Sequence, residues 1–138
     1  MLFRSDAADP RFLETCGLAK AAGVIITIHS VRQIDDVVAH VREMRPDVLI
    51  VSRARDADHA RHLYALGATD AVPDTIEASL QLSEAALVGL GVATGLAIAS
   101  IHEKRDEIRH SLQQAAQDAG LQKIHSVKAK AHKTHGAA

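Results

Sequence analysis

Tryptophan is absent, cysteine occurs once, and aromatic residues make up only 2% of the chain. A core without large rings must be assembled from Ala, Val, Ile and Leu. That composition suits helices lying on a parallel sheet, where β-branched residues fill the strands and alanine permits close helix contact. The single Cys16 excludes an internal disulfide and any multi-cysteine metal site, which leaves the role of an apolar helix thiol in a reducing compartment. Neither charge dominates: 16 Lys and Arg stand against 17 Asp and Glu, with a pI near 6.7, so nothing in the balance asks for nucleic acid as a partner. No signal peptide is expected from these residues. The longest uncharged run, Ala85–Ile101, contains three glycines and falls short of the ~20 strongly apolar residues that cross a bilayer. It reads as a helix end, a glycine turn and the next helix start, so no transmembrane segment is expected. A phosphate-binding loop is also wanting. No GxGxxG follows a strand, and Gly89, Gly91 and Gly95 have no strand before them.

What is present, over 138 residues, is enough for one domain of modest core. Asp9 and Pro10 make a good helix start, with Phe12, Leu13 and Cys16 as its apolar face and Gly17 as its end. Residues 23–28 form the clearest strand, ending at His29 and Ser30. Ile34, Val37, Val38, Val41 and Met44 recur with helical spacing and predict an amphipathic helix over 31–45. Val48, Leu49, Ile50 and Val51 are a continuous apolar run, as expected of a parallel strand covered on both faces. Asp56 or Asp58 caps a helix marked by Ala60, Leu63, Tyr64 and Leu66 and stopped by Gly67. Residues 71–73 are a short strand, and Asp74 or Thr75 caps a helix running to Leu90 and Gly91. A further helix is expected over 95–119. From residue 121 the chain carries four Lys, three His and no acid, and a disordered basic tail is expected. Alternating strands and helices joined by short connections argue for βαβ units and a parallel sheet.

Two stretches also carry a family resemblance. SRARDADHARHL is similar to an "ARAR(D/N)xxHxxxL" strand-to-helix junction, and LGATDAVPDTIEASLQL is similar to "xxGAxxVxxxTxEASLQL". In order and spacing the pair resembles the RCK (TrkA-N) regulatory domain of Kef-type monovalent cation:proton antiporters. The resemblance covers roughly residues 6–112 and implies a partial Rossmann-like α/β lobe, the C-terminal half of the family's unit. On this basis residues 1–5 are a poorly matching, non-native start on a truncated frame, and 6–91 are the half-lobe. Residues 92–120 are a helical extension through which lobes pair as a homodimer, and 121–138 are the tail. The family's first strand, glycine loop, first helix and second strand have no counterpart here. NAD(H) or an adenine nucleotide would therefore be bound by the full-length parent, and not by this chain alone. The implied partner is a membrane antiporter domain, with this portion at the cytoplasmic face of the inner membrane. The implied role is ligand-dependent gating of potassium transport, without enzymatic activity.

The candidate binding residues are Asp6, Ala7, Ser30, Arg53 and Arg55. In the family a Gly-Asp-Ala turn sits beside the nucleotide base, and Asp6 and Ala7 match it where Ser5 replaces the glycine. On physics alone Asp6 serves equally well as a turn cap. Ser30, at a strand end, could line the same crevice. Arg53 and Arg55 stand at the carboxyl end of a strand, where open α/β sheets bind ligands, and a guanidinium suits phosphate or carboxylate. The two are expected on opposite sides of the strand, one toward the crevice and one toward a helix or partner subunit. The competing role is a plain ion pair with Asp56 or Asp74. Glu77 and Glu84 find no sequence partner. His59 and His62 with Asp58 lack a third metal ligand and read as a solvated helix face. Two other modules compete: a receiver-like domain, which Ser52 at the phosphoacceptor position disfavours, and a purely structural dimerisation piece.

Overall fold

The computed structural model describes residues 7–134, and for residues 121–134 the backbone alone. The elements run α1 (Pro10–Thr15), a 3-10 turn (Leu18–Lys20), β1 (Gly23–Ile26), α2 (Val31–Met44), β2 (Leu49–Ala54), α3 (Ala57–Leu66), β3 (Asp70–Pro73), α4 (Asp74–Gly89) and α5 (Thr94–Thr134). Asp9 caps α1 by accepting from the Arg11 amide, and Pro10 occupies the first helical position, where no N–H is needed. Cys16 does not join an apolar face. It follows the last turn of α1 and is exposed, whereas Leu13 is buried. A stop by Gly17 is borne out, since its backbone is left-handed.

The three strands form one parallel sheet in the order β1-β2-β3, with Val24 opposite Ile50 and Ser52 opposite Ala71. Alternate residues point to opposite faces, and the faces differ. Ile26, Ile50, Ser52, Ala54 and Ala71 are buried, together with Ile34, Val37, Val38 and Val41 of α2 and Ala60 and Leu63 of α3. On the other face Ile25 is 77% exposed and Leu49 is 49% exposed. The expectation that the Val48–Val51 run is covered on both sides is thus corrected: β2 alternates, and one face alone is fully packed. The strand over 23–28 is also shorter than its apolar run, because pairing with β2 stops at Ile26.

At the end of α3 Gly67 takes φ 110°, and a side chain there would bring its Cβ to 2.7 Å from Cγ of Arg42. Neither Asp74 nor Thr75 caps α4; Pro73 occupies that position, and the Asp74 carboxylate turns to Arg53 instead. Helix α5 packs on both α3 and α4. Arg105 holds Glu77 through Nε at 2.9 Å and Nη2 at 3.1 Å, so Glu77 does have a partner, one too distant in sequence to be seen by periodicity. That pairing pushes the Arg105 guanidinium further toward its charged form. Tyr64 donates to Asp70 at 2.8 Å, and burial pushes its hydroxyl up to about 12. Where a disordered tail is expected from residue 121, α5 instead continues to Thr134. Its Leu, Lys, Gln and Ala content favours helix, and no proline interrupts it.

Candidate functional site

The carboxyl ends of β1 and β2, with the start of α4, enclose a cleft of about 150 Å³ lined by Ile28, His29, Val31, Ile34, Arg53, Arg55 and Asp74. Its position follows from the sheet: parallel strands deliver the chain to one edge, and the following helices begin there. Arg53 leaves β2 one residue before its end, while Arg55 lies just past it. Both therefore reach the same cleft, which corrects the expectation of opposite sides. Residues two apart in a strand share a face.

Each arginine is already engaged. Arg53 Nε donates to Asp74 Oδ2 at 2.5 Å, and its Nη1 lies 2.6 Å from His29 Nδ1. Arg55 Nε donates to Asp56 Oδ2 at 3.0 Å. Asp56 also caps α3, accepting from the His59 amide at 2.9 Å. That amide and the Arg55 guanidinium, in that order, hold the Asp56 carboxyl below its usual range. The ion pairs are only partly shielded, with Arg53 and Asp74 side chains 34% and 43% exposed. Such pairs are worth little and exchange readily for a better anion.

The other candidates sort differently. Ser30 is the N-cap of α2 and accepts from the Gln33 amide at 3.4 Å; it is not among the residues lining the cleft. Ala7 packs against the hydrophobic core. Asp6 lies outside the described residues. His29 joins Arg53 and Arg55 in the cleft, and the strand-end rule that favours Arg53 applies equally to it at the end of β1.

A second group was also hidden from sequence. His59 is no solvated-face residue: its side chain is 3% exposed. Its Nδ1 accepts from the Arg55 amide at 3.0 Å, so the ring proton sits on Nε2, which donates to Asp35 at 2.8 Å. His62 reaches the other oxygen of Asp35 at 3.3 Å. Asp35 belongs to α2, more than twenty residues away, beyond the reach of local spacing. Among the described residues no group of three or more His, Cys, Asp or Glu could hold a metal ion. Ser52 is buried, its hydroxyl donating to the Arg53 carbonyl at 3.0 Å, so no acid stands where a phosphoacceptor would be.

Comparison with known proteins agrees with the fold. The TrkA-N domain model matches residues 1–74, beginning five residues before the motif resemblance does. A relative in Alkalimonas amylolytica bearing a K(+) efflux antiporter KefB name is 33% identical over 104 residues, which are 75% of this chain and 16% of that protein. The glutathione-regulated potassium-efflux system protein KefC of Klebsiella pneumoniae subsp. pneumoniae is 35% identical over 91 residues, 66% of this chain and 15% of its own length. The chain therefore spans about a sixth of these relatives. Among solved structures, the Kef CTD of Shewanella denitrificans in AMP-bound form superposes with a TM-score of 0.70 at 27% identity, covering 82% of this chain and 71% of that one. Among the described residues, no helix is long and apolar enough to cross a membrane.

Proposed function

The chain belongs to the TrkA-N domain family, and from that premise we propose that it is the regulatory portion of a potassium or monovalent cation:proton antiporter. The cleft at the strand ends is the ligand-sensing element. The observation that supports this most is the coincidence of two arginines and His29 in one cleft, on a fold that superposes on an AMP-bound Kef domain. The ligand is an adenine nucleotide or NAD(H), held by its phosphate. To bind it, Arg53 exchanges Asp74 for a phosphate oxygen, and Arg55 exchanges Asp56. Without a glycine-rich loop the chain contributes one wall of the nucleotide site, and high affinity belongs to the parent transporter. The reading makes the chain a regulator, with no catalysis of its own.

Gating follows as a population shift. A ligand that displaces Asp74 changes what holds the start of α4, and α4 packs on α5. Both helices present apolar side chains to solvent, among them Leu82 at 73% and Leu96 at 68% exposure. Those side chains suit pairing with a second copy, so ligand state is transmitted to the packing of paired lobes and thence to the ion pathway. The test is Arg53→Ala and Arg55→Ala in the full-length transporter. Effector control of potassium efflux should be lost or blunted in at least one variant, and unaltered control in both would remove the role assigned to the cleft.

A further inference from the structure

We propose that His59 is a positioning residue for the cleft: it fixes where Arg55 stands, and Asp35 fixes His59. The proposal rests on the cleft being the ligand site. Arg55 lies beyond the end of β2, where no ladder bond holds its amide. That amide is taken by His59 Nδ1 at 3.0 Å, from a ring that is almost wholly buried. A neutral imidazole can accept there only if its proton is on Nε2, and Asp35 secures that tautomer by accepting from Nε2 at 2.8 Å. The chain of contacts thus runs from the first half of α2, through α3, to the rim of the cleft. The Arg55 side chain gives little hold of its own: it is 68% exposed and, among the described residues, pairs with the neighbouring Asp56.

The two nitrogens can be tested separately, since an Asn side chain places an acceptor where Nδ1 stands and a Gln side chain places a donor where Nε2 stands. In the full-length transporter, His59→Asn should keep the Arg55 amide protected from hydrogen exchange and keep AMP affinity within about twofold of wild type. His59→Gln should expose that amide and weaken AMP roughly tenfold, the scale of one lost hydrogen bond. Both should lower the melting temperature by similar amounts, so stability alone cannot produce the split. Where His59→Gln does not fold, Asp35→Ala takes its place; it should release the ring and leave the Arg55 amide less protected than in wild type. Equal losses in His59→Asn and His59→Gln, or no loss in either, would overturn the assignment, as would full protection in Asp35→Ala. A wild-type full-length transporter that binds no AMP defeats the cleft reading instead, and exchange at Arg55 then decides the role of His59 without it.

Discussion

The two ends of the sheet each carry a pair of arginines, and the pairs behave differently. At the amino end Arg42 donates to the carbonyls of Gly67, Arg45 and Pro46 and to the Thr69 hydroxyl. Arg45 donates to the carbonyls of Leu18, Ala19 and Ala21. These acceptors are mostly backbone; they cannot leave without unmaking the turns that feed β1, β2 and β3. At the carboxyl end Arg53 and Arg55 are held by the side chains of Asp74, His29 and Asp56, which can rotate away. Identical side chains therefore serve as fixed braces at one end and as exchangeable contacts at the other. The nature of the acceptor, backbone or side chain, decides which.

The contrast is sharpest for Arg42. Arg42→Ala should cost about 3 kcal/mol of stability by leaving several partly buried carbonyls unpaired, read as a drop in the urea midpoint. A loss under about 1 kcal/mol would break the distinction between the two ends. Gly67→Ala should cost about 2 kcal/mol, from its left-handed backbone and the clash with Arg42. In the Arg42→Ala background the steric part should vanish, leaving a cost of about 1 kcal/mol.

At the other end the effects move from stability to binding. Arg53→Ala should change stability by less than about 1 kcal/mol yet weaken AMP binding by the full-length transporter roughly tenfold in calorimetry, the scale of one charge-assisted contact. Asp74→Asn should do the reverse, tightening AMP about threefold, because the competing anion is gone while the fold is kept. The smallest expected effect concerns Asp56, whose carboxyl sits below its ordinary value of 3.8. A depressed carboxyl contributes stability above the unfolded value and loses it as pH falls through the folded one. Asp56→Asn, which preserves the cap, should therefore flatten the acid limb of the stability profile below about that pH. A profile matching wild type would show that the cap bond alone matters.

Sequence spacing made much of this legible, and the limits fall in identifiable places. The helix over α2, the caps at Asp9 and Asp56, the stop at Gly67 and the strand-end location of Arg53 and Arg55 all rest on neighbours within a few positions. The covering of β2, the cap of α4 and the burial of His59 lie beyond local spacing because each depends on a distant partner. A sheet face is covered only if a helix is there to cover it. Asp74 is diverted by Arg53, and His59 is drawn inward by Asp35.

By itself the sequence determined the order of strands and helices, the parallel sheet and the end at which a ligand would meet it, because those follow from hydrophobic period and short connections. Tertiary structure alone decided which arginines are braces and which are exchangeable, and that a histidine on α3 holds the rim of the cleft. Hydrogen bonds form between atoms brought together by packing, and nothing in local spacing records which distant group will arrive.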